Sequence, residues 1–382
     1  MSRAARAEPA AARATAVVDL GAIERNCARL RAALAADAEL CAVVKADGYG
    51  HGAVESGRAA LAGGATWLAV AAAAEAAELR GALPAARLLV LGALTPAELD
   101  LALGAGADIA VWRRGFLELV QARAGALGAR PRVHVKYDTG MGRLGERDPD
   151  AVTDLVAAAA AAEELELTGF WTHFATADEP GSGFFIEQLE RFTELADQLR
   201  REHPGLIRHA ANSAATLSDA TAHFEMVRCG VAVYGLDPFG DDPAAQELEP
   251  ALELRSYIAD VKDFEAGDSA GYGRTWRAPQ ATRVGVLPIG YGDGVRRALS
   301  NNADVLVGGR RHPLVGTVSM DNLTIDLGPL TTVDPGSPAV LIGAQDGERI
   351  LAEELAERLE TINYEIVCAV SSRVPREYVR SG

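Results

Sequence analysis

Apolar residues recur along the first two-thirds of the chain in two alternating patterns. Short runs at 39–44, 66–70, 87–91, 108–111, 131–137, 167–173, 207–212 and 225–228 are rich in β-branched and aliphatic side chains and predict strands. Between them, Ala/Leu/Glu-rich stretches with helical spacing fall at 53–63, 71–81, 96–104, 114–127, 150–164, 184–201 and 213–222. A further helix, about 21–36, precedes the first strand. Repeated strand–helix units imply a parallel sheet. Eight of them predict a closed (β/α)8 barrel of the TIM type. The alternative, an open doubly wound sheet, should carry G-x-G-x-x-G after its first strand, and none is present there.

The pattern changes near residue 240. Gly240-Asp241-Asp242-Pro243 reads as a linker and Pro250 as a second break. Beyond it, short runs at 251–262, 281–288, 304–307, 312–318, 321–326 and 338–342 are separated by Gly, Pro and Asp. They predict a mostly-β domain, interrupted by one helical segment at 350–359. The expected organisation is a disordered start over residues 1–14, a barrel over 15–245 and a mostly-β domain over 246–382.

Composition narrows the function classes. A formal net charge of −16 argues against a nucleic-acid or anionic-membrane partner, since both select basic surfaces. No apolar stretch runs the length of a membrane span without charge or Gly. The first 14 residues are rich in Ala and Arg and lack the apolar segment of a signal peptide. Cys27, Cys41, Cys229 and Cys368 are scattered, with no metal-ligand spacing, and are expected to be buried thiols in a reducing compartment. Together these imply a cytoplasmic protein with no metal site.

Of 37 Lys and Arg residues only Lys45, Lys136 and Lys262 are lysine. A lysine kept against such a bias is a candidate for chemistry that a permanently protonated guanidinium cannot do. Lys45 ends an apolar run at a Gly-rich turn, Val43-Val44-Lys45-Ala46-Asp47-Gly48-Tyr49-Gly50-His51-Gly52, a suitable place for a Schiff-base amine. In a barrel the active site lies at the C-terminal ends of the strands. There the sequence places Lys45 after strand one, Lys136 and Asp138 running into Thr139-Gly140-Met141-Gly142-Arg143 after strand five, Thr172-His173 after strand six, Asn212-Ser213 after strand seven and Arg228 with Gly230-Val231 at strand eight. Barrel phosphate sites use the loops after strands seven and eight. Ser213 suits a helix N-cap there, and Gly230 permits close backbone approach. A Schiff-base lysine facing a phosphate site points to pyridoxal phosphate.

These segments, with Ala211-Asn212-Ser213-Ala214-Ala215, Gly271-Tyr272-Gly273, Gly290-Tyr291-Gly292-Asp293-Gly294, Ser319-Met320-Asp321 and Asn363-Tyr364-Glu365, span nearly the whole chain. In that order they resemble the alanine racemases, pyridoxal-phosphate enzymes of fold type III. The resemblance implies that Lys45 carries the cofactor and is one catalytic base. Tyr272 is then the opposite base, His173 its hydrogen-bond partner, and Arg228 the donor-only residue facing the pyridine nitrogen. Such a ring is a weaker electron sink than one paired with Asp, which favours racemisation over side reactions. Arg143 would lie near the cofactor's phenolic oxygen and fork the substrate carboxylate. Lys136 matches a lysine that is carbamylated in some members and orients that arginine. Tyr49, Asn212, Ser213, Gly230, Val231 and Tyr364 complete the cofactor set; Met320 contacts the substrate carboxylate through its backbone N–H; Tyr291 and Asp178 line the access path. Tyr272 and Met320 would come from a second subunit, which implies a homodimer with shared sites. Cys229 stands where the family often has an aromatic.

The implied activity is interconversion of L- and D-alanine for peptidoglycan. The alternatives are a broad-specificity racemase of this fold and a fold-type III decarboxylase of basic amino acids, which uses a C-terminal cysteine as its acid. A pyridoxal-phosphate carrier protein is a single barrel, and residues 250–382 argue against it.

Overall fold

The computed structural model describes residues 12–35 and 37–381. The chain forms two compact units. One comprises Ile23–Phe239 with Gln246–Glu249. The other takes residues up to Ala22, Gly240–Ala245 and everything from Pro250.

The first unit is the eight-stranded parallel barrel. Its strands are Glu39–Val43, Trp67–Val70, Arg87–Val90, Asp108–Val111, Arg132–Lys136, Glu166–Trp171, Ile207–His209 and Met226–Cys229. They pair in sequence order, and strand one pairs back onto strand eight, with Cys41 opposite Arg228. Strands seven and eight form no ladder. Their seam is bridged by the Glu225 N–H donating to the Arg208 carbonyl (3.2 Å) and the Arg228 N–H to the Ala211 carbonyl (2.9 Å), so the barrel is nearly closed. Most strand residues are buried on both faces, which is why the sequence shows continuous apolar runs instead of alternation.

Local chemistry sets the helix ends. Thr95 caps Pro96–Gly104: its hydroxyl accepts from the Glu98 N–H, the Glu98 carboxylate accepts from the Thr95 N–H (2.9 Å), and Pro96 opens the helix. Asp148 caps Pro149–Ala161, its carboxylate accepting from the Asp150 N–H (3.1 Å), and Pro149 opens that helix. The long helix Gly183–Glu202 buries Leu189, Phe192, Leu195, Ala196 and Leu199 along one stripe.

The second unit is mostly β, as expected. One sheet runs Arg310–Pro313, Asp304–Val307, Pro338–Gln345, Leu252–Tyr257, Thr15–Asp19 and Arg376–Val379, with Glu348–Ile350 on the side. A second holds Asp260–Phe264, Thr282–Leu287 and Leu323–Asp326. A two-stranded ribbon, Ser269–Ala270 with Trp276–Arg277, carries Tyr272 in its connection.

Three expectations need correction. Thr15–Asp19, counted with the barrel, is a strand of the second unit, antiparallel to Leu252–Tyr257 and parallel to Arg376–Val379. It is only five residues long, and its partners lie more than 230 residues away, so periodicity could not assign it. The single run 251–262 is two strands in different sheets, divided at Ile258 and Ala259. Helix Asn363–Cys368 was not anticipated, being too short for a helical period to register. Of the expected disordered start, residues 1–11 lie outside the described residues. Beyond them, Ala14 is buried and Arg13 pairs with the buried Asp293.

Candidate active site

Lys45 leaves the C-terminal end of strand one and opens a turn that winds left-handed. Ala46, Asp47, Gly48 and Tyr49 have φ of 53°, 53°, 61° and 53°. Three of these are not glycine, and each costs roughly 1–2 kcal/mol in that conformation. The turn is pinned from outside: the Glu75 carboxylate accepts from the Ala46 N–H (2.6 Å), and the Asp47 carboxylate from the Ala53 N–H (3.0 Å). Strain concentrated beside one lysine marks a site whose geometry matters more than local stability.

The turn delivers Tyr49 into the barrel against Tyr234, their ring centroids 5.1 Å apart. Its hydroxyl then lies over Gly230, where a Cβ would come within 2.3 Å of that oxygen. Ser213 completes this corner, its hydroxyl accepting from the N–H groups of Gly230 (3.0 Å) and Ala232 (3.3 Å). The helix cap itself is Asn212, whose side-chain oxygen accepts from the Ala215 N–H (3.0 Å). The expected Ser213 cap is therefore shifted by one residue, and the Ser213 hydroxyl is turned toward the strand-eight loop. Val231 begins the 3-10 turn Val231–Tyr234 that follows.

Arg228 is buried within strand eight. Its guanidinium donates to the carbonyls of Thr172 (2.8 Å) and Ala210 (2.9 Å) and to Nδ1 of His209 (2.9 Å), and approaches Nδ1 of His173 at 3.4 Å. Burial lowers its pKa to about 10. His173 is held well below the ordinary imidazole value by burial and by the positive charges of Arg228, Arg143, Lys136 and Lys45. Arg228 and Lys136 lie on strands eight and five, and Arg143 and Lys45 follow strands five and one; all four act on one imidazole. Lys136 is itself buried, its ammonium 4.4 Å from the Trp171 ring centre. Burial, with Arg143 and Arg228, lowers its pKa to about 7, against the pull of Asp138. Arg143 is exposed at the end of a loop that Asp138 organises by accepting from the N–H groups of Gly140 and Gly142. Asp178 is exposed in the loop after strand six.

The remaining predicted residues belong to the second unit. Tyr272 is 74% exposed and Met320 51%. The Tyr272 carbonyl accepts from the Thr317 hydroxyl (2.8 Å). Tyr291 and Met320 sit on adjoining loops joined backbone to backbone: Tyr291 N–H to the Ser319 carbonyl (3.0 Å) and Gly292 N–H to the Met320 carbonyl (2.9 Å). Tyr364 is half-buried on Asn363–Cys368.

Both halves of the chain match known families: residues 18–238 the alanine racemase N-terminal domain, and residues 251–378 the alanine racemase C-terminal domain. The chain belongs to the alanine racemase family. The alanine racemase of Symbiobacterium thermophilum is 43% identical over 362 residues, 94% of this chain and 96% of that one. The structure of alanine racemase from Streptomyces coelicolor A3(2) superposes with a TM-score of 0.91 at 41% identity, covering 97% of this chain and 98% of that one. The alanine racemase from D-cycloserine-producing Streptomyces lavendulae gives 0.90 at 38%, covering 97% of each.

The barrel carries a lysine amine at the end of strand one, the Arg228 guanidinium on strand eight and a glycine against the Tyr49 hydroxyl. Several residues of the barrel interior were not singled out from sequence: His134, His209, Asp108, Trp171 and Gly169. His134 shares a strand face with Lys136 two residues on, and that was the available signal. Cys27, Cys41 and Cys229 are buried and burial pushes each thiol pKa up. Cys368 is exposed, contrary to expectation, because Asn363–Cys368 is a short helix ending at the surface. Among the described residues no helix is long and apolar enough to cross a membrane, and no cluster of three or more His, Cys, Asp or Glu could hold a metal.

Proposed function

We propose that this protein interconverts L- and D-alanine with pyridoxal phosphate, using Lys45 and Tyr272 as bases on opposite faces of the substrate. The observation that carries the proposal is Lys45 at the barrel mouth on a strained turn, whose last residue, Tyr49, closes over the Gly230 cradle. The donor set suits the cofactor. Lys45 supplies an amine for covalent attachment. The Ser213 hydroxyl, the Gly230–Val231 turn and Tyr49 suit a phosphate, and we assign Tyr364 to the same group; Asn212 caps the helix that Ser213 opens. Bound there, pyridoxal phosphate supplies an electron-accepting ring that makes the α-proton of an amino acid removable.

The chain's own residues do the rest. Lys45 moves the proton at its Nζ on one face, and Tyr272 Oη, from a second copy of the chain, does so on the other. His173, kept neutral by burial and by the surrounding cations and facing the Arg228 guanidinium at Nδ1, carries its proton on Nε2 and can donate a hydrogen bond to that phenol oxygen. Arg143 forks the carboxylate, assisted by the Met320 N–H from the second copy. Lys136, with a pKa of about 7, has the free amine that carbamylation requires, and the resulting anion orients Arg143. Arg228 faces the ring nitrogen as a donor that has no proton to lose. Tyr291 and Asp178 line the access path. The working unit is a homodimer in the cytoplasm, and its product, D-alanine, enters peptidoglycan.

The test is Lys45→Ala. Borohydride treatment should fix pyridoxal phosphate covalently to the wild-type chain and not to the variant, with loss of turnover. Equal fixation and normal turnover in the variant would refute Lys45 as the attachment point.

A further inference from the structure

The Arg228 guanidinium is buried, and each of its hydrogen-bond partners is neutral: two carbonyls and imidazole nitrogens. A buried cation without a touching carboxylate is costly. The compensation lies further down the barrel. Nε2 of His209 is 2.8 Å from Nδ1 of His134, and Nε2 of His134 is 3.2 Å from Oδ2 of Asp108. Asp108 is fully buried, and its other oxygen takes the Arg132 guanidinium at 2.8 Å. Arg87 lies 4.0 Å away. Four side chains from strands eight, seven, five and four therefore form one hydrogen-bonded line through the barrel interior.

The polarity of this line is fixed at both ends. Arginine can only donate, so Nδ1 of His209 must be an unprotonated acceptor. The His209 proton is then on Nε2 and donates to Nδ1 of His134. The His134 proton is on Nε2 in turn and donates to the Asp108 carboxylate. A second proton on either ring would set two donors face to face. The groups facing the line agree with this assignment. Burial, with Arg228 and His134, keeps His209 far below the ordinary imidazole value. Burial also keeps His134 neutral, outweighing Asp108, with Arg87 and Arg132 adding to the effect. Burial alone would raise the Asp108 carboxyl, but hydrogen bonds from His134 and Arg132 hold it below its usual value.

The barrel is built around the line. Strand six stands between strands five and seven, and the residue of strand six opposite His134 is Gly169. A Cβ there would lie 1.9 Å from His134 Nδ1, so only glycine lets the two imidazoles meet across that strand. Trp171 stacks on His209 at 5.7 Å and 6°, and Trp67 meets His134 edge-on at 5.6 Å. The rings cannot turn without displacing an indole.

We propose that Asp108, His134 and His209 are positioning residues: a one-way hydrogen-bond relay that balances the Arg228 charge and holds its guanidinium against the cofactor's ring nitrogen as a donor only. The proposal rests on the assignment of Arg228 to that nitrogen. Without the relay, the guanidinium turns toward solvent or another acceptor, and water can protonate the ring nitrogen.

Two measurements test it. In protein free of cofactor and labelled with 15N-histidine, long-range N–H correlation spectra should show His134 and His209 neutral, each with its proton on Nε2, from about pH 5.5 to 9. A charged ring near pH 6, or a proton on Nδ1 of either, overturns the relay. In holoenzyme carrying pyridoxal phosphate 15N-labelled in the ring, wild type should show an unprotonated ring nitrogen at neutral pH. His209→Leu and Asp108→Asn should move that resonance toward the protonated position, and His209→Asn, which keeps an acceptor for Arg228, should move it less than His209→Leu. A protonated ring nitrogen in the wild type would instead defeat the Arg228 assignment. An unprotonated nitrogen in all variants would leave that assignment standing and refute the relay.

Discussion

Gly169→Ala separates the steric logic of the barrel interior from ordinary backbone effects. The new Cβ would stand 1.9 Å from Nδ1 of His134, 2.6 Å from Cγ and 2.7 Å from Cε1. The ring cannot yield, because it is fully buried between Trp67, His209 and Asp108. Relieving the overlap requires a shift of an ångström or more, which breaks both of its hydrogen bonds. Overpacking a core costs about 1–3 kcal/mol. Each of the two hydrogen bonds lost leaves a buried polar group without its partner and adds about 1–3 kcal/mol, for a total of roughly 3–9 kcal/mol. At about 2–4 °C per kcal/mol for a unit of this size, the melting temperature should fall by roughly 6 °C or more. Gly81→Ala is the control. Gly81 lies within helix Ala73–Ala82, a Cβ there would meet nothing within 4 Å, and alanine should stabilise by about 0.5–1 kcal/mol. Differential scanning fluorimetry on the two variants and wild type decides the matter. A Gly169→Ala protein melting within about 2 °C of wild type would refute the close packing on which the argument depends.

Other consequences concern the cofactor and the bases. Gly230→Ala places a Cβ 2.3 Å from the Tyr49 hydroxyl, and the 1–3 kcal/mol typical of such overpacking should weaken pyridoxal phosphate binding by roughly 5- to 150-fold in a fluorescence titration; unchanged affinity would exclude the cradle. Tyr272→Phe should keep the cofactor, lower turnover by about 10²–10⁴-fold, and abolish solvent-deuterium exchange into one alanine enantiomer, whereas equal exchange into both would contradict two bases. In buffer free of carbon dioxide, Lys136 titrates at about 7 in the folded chain and at about 10.4 unfolded. Between those values the unfolded chain holds a proton that the native one has released. Stability therefore gains from Lys136 as pH rises through that window, by up to about 1.4 kcal/mol per pH unit. Lys136→Met should remove that slope in urea unfolding at pH 7, 8 and 9, and parallel curves for variant and wild type would refute the burial of the amine.

Much of the barrel was legible because parallel strands buried on both faces leave continuous apolar runs, as at Cys41–Val44 and Ile109–Val111. Lys45 stood out through residue choice alone. What sequence missed depends on distant contacts or short segments. Thr15–Asp19 finds its partners only in the folded second unit. The same holds for His134 and His209, 75 residues apart, which meet because strand six thins to Gly169 between them. The Asn212–Ser213 shift is a one-residue ambiguity between two good capping side chains, and only the folded turn decides it.

The most direct test of the central claim is turnover of purified protein with pyridoxal phosphate in deuterated water, offering L-alanine and then other L-amino acids. Chiral chromatography and mass spectrometry should find rapid formation of D-alanine carrying one α-deuterium, with little product from larger side chains. Comparable racemisation of lysine, arginine or serine would contradict alanine as the substrate, and carbon dioxide release without D-alanine would contradict racemisation itself.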